Sequence, residues 1–244
     1  MTEFVKTGFE LFKAYFPSAA VLSVEASTEV LPAFVGGSAT LLTNVIGNVL
    51  HDYQNKPLSP REKLRTSSVY VDAHLKIAKR LESGDLVRDD DFFRQRLGQR
   101  SSAEQCLDAT IMKAAGQYEE IKLPLFSELY VSACFDADIS PELLAIYYSQ
   151  LEQLNYIQLL VLYTLSIEKN RLEWKWNSAD FNDVVYTLLK ELQSRNLIND
   201  SFWGDSPIIL NPLTERFINA IGFRYIADNE HDVCLQLKSS GKYI

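Results

Sequence analysis

Most of the chain alternates between apolar and polar positions at helical spacing. Leu42, Val45, Ile46, Val49 and Leu50 recur at i, i+3, i+4, i+7 and i+8, which is one stripe of an amphipathic helix. Thr40, Thr43, Asn44, Gly47, Asn48 and His51 fall off that stripe. The run Leu31–Leu50 holds no charged residue and has the length of a bilayer span. A span should be apolar all round, so the one-sided pattern predicts a bundle helix, with an interfacial helix as the alternative. Before it, residues 2–16 predict a helix with a wide apolar face of Phe4, Val5, Phe9, Leu11, Phe12, Tyr15 and Phe16, closed by Pro17.

Helix starts are written into the polar positions. Ser59-Pro60-Arg61-Glu62 is a capping box with proline at the first helical position. It predicts a long helix to about Leu81, with Leu64, Val71, Leu75 and Ala78 inward. Ser101 and Glu104 form a second box, opening a helix whose inner face is Leu107, Ile111, Ala114 and Tyr118. Pro124 must kink or restart the helix that follows, because it lacks an amide proton. Ser140 caps and Pro141 begins the next helix, through Leu154, and Asn155 marks a joint.

Past that joint the texture changes. Leu172, Trp174 and Trp176 alternate, which predicts a strand. Ser178 caps a helix with the stripe Phe181, Val184, Val185, Leu188, Leu189 and Leu192. A short extended run at 206–210 and a last helix within 211–223 follow. That order is the order of a winged-helix domain. The expected fold is mainly α: a helical bundle over 1–155, a small winged-helix-like α+β domain over 156–227, and a C-terminal arm over 228–244.

Composition narrows the function. The apolar fraction of 47% and charged fraction of 23% are ordinary for a globular protein. The net charge of −8 opposes approach to phosphate backbones and anionic lipids. From Tyr156 to Ile244, nine Lys and Arg stand against eleven Asp and Glu, a balance of −2. Cys106, Cys134 and Cys234 have no paired spacing, which fits a reducing cytoplasm, and the acidic start MTEFVK does not read as a signal peptide.

Catalytic spacings are missing. His51, His74 and His231 have neither ligand spacing nor cysteine neighbours, and each reads as a surface or capped polar residue. No nucleophile elbow, phosphate loop or dinucleotide fingerprint occurs. Asp89, Asp90 and Asp91 are consecutive and cannot converge on one metal ion; with Arg94, Arg96 and Arg100 close behind, they read as a solvated helix start. Glu119 and Glu120 point about 100° apart on a helix and form no catalytic pair.

The block from Tyr118 to Ser166, with Leu125, Leu129, Ala133, Asp136, Leu151 and Leu154 in comparable places, resembles the alpha-type abortive-infection proteins of bacteria. The helix tryptophan of that family is replaced by nearby Phe126 and Tyr130. The resemblance implies a helical protein associated with anti-phage defence, and it brings no functional residues with it. Leu210, Pro212, Leu213, Phe217 and Ile221 resemble the close of winged-helix proteins, with Asn211 and Thr214 in place of the usual threonine and glycine.

The expectation is a non-catalytic cytoplasmic protein that needs no cofactor or metal and binds a protein partner or its own copies. A winged-helix DNA-binding transcription regulator is the first alternative, disfavoured by charge. A membrane-active effector using residues 1–50 is the second. Candidate partner- or DNA-binding residues are Trp174, Lys175, Trp176, Asn182, Tyr186, Lys190 and Arg195. The candidate interfacial helix is carried by Leu42, Val45, Ile46, Val49 and Leu50.

Overall fold

A computed structural model describes residues 6–7, 37–95, 98–167, 183–199 and 207–223. The chain divides into two compact units, Met1–Gln153 and Leu154–Ile244. The first holds α1 (Gly37–Gln54), α2 (Pro60–Glu82), α3 (Ser102–Gly116), α4 (Leu123–Phe135) and α5 (Pro141–Gln153). The second holds α6 (Tyr156–Ser166), α7 (Asp183–Ser194) and α8 (Pro212–Ala220). The fold is mainly helical, and no strand occurs among the described residues.

Three of these helices open on reciprocal capping boxes, each of which satisfies two backbone donors that the first turn leaves orphaned. Ser59 Oγ accepts from the Glu62 amide at 3.3 Å, and Glu62 accepts from the Ser59 amide at 2.9 Å. Ser101 and Glu104 repeat the arrangement at 3.2 and 2.7 Å. Asn155 and Gln158 build a third at 2.8 and 2.9 Å. At Pro124 the chain restarts: a single 3-10 turn, Glu120–Lys122, leads into α4 with proline in its first turn.

In the first unit α3 packs against α1, α2, α4 and α5, and α2 lies along both α3 and α4. The stripe of α1 is seated as a bundle helix should be: Leu42, Val45, Ile46 and Val49 are buried and Leu50 is half-buried. The inner face of α2 differs from the expected one. Val71 is buried, but Leu64, Leu75 and Ala78 are only half-buried, and Thr66 to Ala73 are buried without a break. A helix enclosed on all sides must satisfy its hydroxyls internally. Thr66 donates to the Glu62 carbonyl at 2.8 Å and Ser67 to that of Leu64 at 3.1 Å. Apolar periodicity misses such a helix because part of its buried surface is Ser and Thr.

In the second unit α6 is buried along almost its whole length, and α8 packs on it. Phe223, just past α8, sets its ring 5.6 Å from Tyr156 and 5.5 Å from Tyr163. Val185, Leu189 and Leu192 form the inner face of α7, whereas Val184 is exposed. Asn196, at φ 57°, ends that helix in the left-handed conformation, which asparagine tolerates. Beyond it, Ile198 and Leu210 make one antiparallel bridge. The expected α+β winged-helix domain is therefore not supported: no strand forms among the described residues, where Ile198 and Leu210 pair as an isolated bridge. Backbone bonds flank the bridge, Asn199 N–H donating to the Ile209 carbonyl at 2.8 Å and Asn211 N–H to that of Leu197 at 3.1 Å, and the Asn199 side chain adds to them by accepting from the Ile209 amide at 3.0 Å. The strand expected around Leu172–Trp176, and the arm over 228–244, lie outside the described residues.

Candidate functional site

Of the expected partner-binding residues, Trp174, Lys175, Trp176 and Asn182 lie outside the described residues. Tyr186 and Arg195 are exposed, on α7 and just after it, and Lys190 is half-buried. The Lys190 ammonium sits 5.4 Å from the centre of the Tyr186 ring and donates to Gln193 at 3.3 Å. Both contacts hold it against its own helix.

The acidic triplet caps a turn and clamps a neighbour. Asp90 accepts from the Phe92 amide at 3.1 Å, capping the 3-10 turn Asp91–Phe93. It also receives Arg88 through Nε at 2.9 Å and Nη2 at 2.5 Å. The Arg88 guanidinium holds the Asp90 carboxyl below the usual carboxylate range. Buried Arg88 donates onward to the carbonyls of Ala133, Asp136, Ala137 and Ile139 at 2.9–3.2 Å, and stacks over Phe92. It ties the chain ahead of α3 to the loop between α4 and α5. A polar recess of about 420 Å³ lies beside it, bordered by Asp90, Asp91, Arg94, Arg100, Gln105 and Glu142. Each arginine there faces an acid: Arg94 pairs with Asp91, and Arg100 with Asp52 and Asp108.

Two clusters hold residue types that do chemistry elsewhere. Between α2 and α4, Lys76 pairs with Asp72 at 2.9 Å and Glu128 at 3.1 Å and donates to Ser127 at 3.2 Å. Ser127 in turn donates to Asp72. Burial pulls the Lys76 ammonium down, and Asp72 and Glu128 more than offset it, so its pKa ends above the ordinary value. A lysine held protonated is no general base, and the Ser127 hydroxyl is sealed from solvent. The second cluster is the buried thiols Cys106 and Cys134, both pushed up to about 12 by burial. Thiols so protonated are poor nucleophiles. His51 is exposed, but His74 departs from the surface expectation: its Nδ1 is buried with no hydrogen-bond partner, and burial lowers its pKa. His231 and Cys234 lie outside the described residues.

One exposed apolar surface of the first unit, besides the side chain of Leu86 at 86% exposure, was not anticipated. Helix α3 stops at Gly116, two residues short of Tyr118, so Tyr118 leaves the stripe it was assigned to. The Gln117 amide closes the last turn on the Ala114 carbonyl at 3.1 Å, and extended backbone at Gln117 leads the chain away. Tyr118 is then 74% exposed and Met112, one turn before the end of α3, is 56% exposed. Between them opens a recess of about 460 Å³, lined by Ala109, Met112, Lys113, Gly116, Tyr118 and Glu152. Lys113 of α3 and Glu152 of α5 pair across its rim. Gly116 leaves part of it open: a Cβ there would touch nothing within 4 Å. The usable sequence signal was the Ala115-Gly116-Gln117 break, which ends helical spacing before Tyr118. No family model, no curated protein and no solved structure matches this chain.

Proposed function

We propose that this chain works by binding a protein partner, not by catalysis, and that the recess at the end of α3 is its contact face. One observation carries the reading: Tyr118 and Met112 stand exposed on either side of an open recess. Tyrosine and methionine are enriched in interface cores because each presents a large, adaptable apolar surface. Charge is depleted in such cores, and Lys113 and Glu152 neutralise each other at this rim. The sealed Ser127, the protonated Lys76 and the buried thiols add support for the non-catalytic half. A nucleic-acid surface on α7 draws less support, since Lys190 is held by Tyr186 and Gln193.

A photo-crosslinking side chain placed at position 112 or 118 tests the face in cells, with exposed Lys79 on α2 as the control position. Defined adducts from 112 and 118, and none from 79, are the expected outcome. Equal labelling at all three positions, or none, removes the reading. The setting implied by the resemblance over Tyr118–Ser166 is anti-phage defence. Plaque counts on a broad phage panel, with and without the gene, test that half separately; unchanged plating sinks it.

A further inference from the structure

We infer that the partner at this face is a second copy of the same chain, docked about a twofold axis. The inference rests on the contact face just proposed and names its occupant. A twofold contact brings one patch against itself, so the patch must be self-complementary. This one is complementary in shape, because Tyr118 projects beside a recess, and the axis seats each Tyr118 against the recess of the other copy. Gly116 leaves room there for an incoming ring. It is complementary in charge as well. Lys113 and Glu152 form one dipole across the rim. An axis at right angles to that dipole sets the two dipoles antiparallel, with each lysine facing the other copy's glutamate. Chains of net charge −8 repel one another over most approaches, and a locally neutral apolar patch is where two of them meet at least electrostatic cost.

Sedimentation over a concentration series, on the full chain, tests this with Tyr118→Ala, Lys113→Glu and Glu152→Lys. Wild type is expected to show a concentration-dependent dimer. Removing the tyrosine ring should weaken it by about tenfold or more, as for an interface anchor. Each charge reversal alone puts like charges opposite each other and should leave monomers. Mixed in equal amounts, the two reversal variants should form a heterodimer, because every cross-copy pair is then opposite in sign. If the Lys113–Glu152 pair acts only within one chain, mixing rescues nothing, and that result overturns the inference. So does a monomeric wild type up to about 1 mM, the weak limit of a meaningful contact. Circular dichroism confirms that each variant is folded; Tyr118→Ala, at an exposed site, serves as the arm least exposed to misfolding. Crosslinked adducts from position 118 that contain only other proteins would sink the second copy while leaving the contact face standing.

Discussion

Arg88 offers the sharpest test of the structural reasoning. Its guanidinium gathers four backbone carbonyls and the Asp90 carboxylate around one buried side chain. Replacing it with methionine keeps most of the stem and removes every donor. The carbonyls are not equivalent. Those of Asp136 and Ala137 belong to an exposed loop and can turn to water. Those of Ala133 and Ile139 sit on buried residues, and their bonds to Arg88 are fully enclosed. An enclosed acceptor stripped of its donor costs about 1–3 kcal/mol. Two of them give about 2–6 kcal/mol, and the lost stacking on Phe92 adds about 0.5–1 kcal/mol. The Asp90 pair adds little, because Asp90 is 41% exposed and exposed pairs are worth about 0–1 kcal/mol.

Arg88→Met should therefore lower unfolding stability by about 3–7 kcal/mol, a large share of a typical total. Urea unfolding followed by circular dichroism measures it. Asp90→Asn should lose under about 1 kcal/mol by the same measure. The pairing of results is the test. If both variants lose the same small amount, below about 1 kcal/mol, the carbonyl clamp is not what holds the α4–α5 loop. If Asp90→Asn loses as much as Arg88→Met and both losses are several kcal/mol, the ion pair and not the carbonyl set carries the energy.

Four further outcomes follow from the same structure. Lys76→Met leaves the buried Asp72 carboxylate without its cation and should destabilise by about 3–5 kcal/mol, whereas Asp72→Leu with Lys76→Met should recover much of that in urea melts. The Asp90 carboxyl titrates below its unfolded value, so its contribution is present above the unfolded carboxylate pKa and is lost as acid drives pH down through the folded one; Arg88→Met should flatten that acid-side loss in pH-dependent melts. The His74 imidazole is a base whose folded pKa is lowered by burial, so the unfolded chain takes up the proton first; stability should fall as pH drops below about 6.5, the ordinary histidine value, and His74→Phe should remove that slope. In a Cys234→Ser background, Cys106 and Cys134 should resist a thiol reagent at pH near 8 in the folded protein and react fully in urea.

The parts of this fold that were readable in the sequence are those whose cause is local. The Ser59 and Ser101 boxes set the starts of α2 and α3 because a hydroxyl and a carboxylate three residues apart close on each other with no help from the rest of the chain. The α1 stripe was readable for a related reason: its buried positions Leu42, Val45, Ile46 and Val49 are all aliphatic, so burial and hydrophobicity coincide there. The two coincide far less along α2. Thr66, Ser67 and Asp72 are interior because their polar atoms are matched within α2 or by Lys76 and Ser127, the latter a partner that comes from folding. Arg88 is the strongest case. In the sequence it stands one residue from three aspartates, where it looks like one more solvated charge; its main partners are carbonyls 45 to 51 residues away.

The proposed contact face was hidden by a smaller error with a larger consequence. Tyr118 continues the spacing of Leu107, Ile111 and Ala114, and periodicity alone carries it into the core. Whether it enters depends on one backbone event, the stop at Gly116. Glycine is the weakest helix former after proline and lacks a side chain to shield the last carbonyls, so the helix gives way there and Tyr118 is turned outward. The same two residues thus account for both halves of the proposed function: Gly116 leaves the recess open, and the break it makes supplies the ring beside it. A Gly116→Ala substitution perturbs both roles at once. Nothing within 4 Å blocks the added methyl, and alanine favours helix by about 1 kcal/mol, so the chain should fold at least as well. Contact through Tyr118 should nonetheless weaken, because the methyl partly fills the space a partner ring would use. Unchanged crosslinking from position 118 in that variant would show that the recess is bystander to the binding.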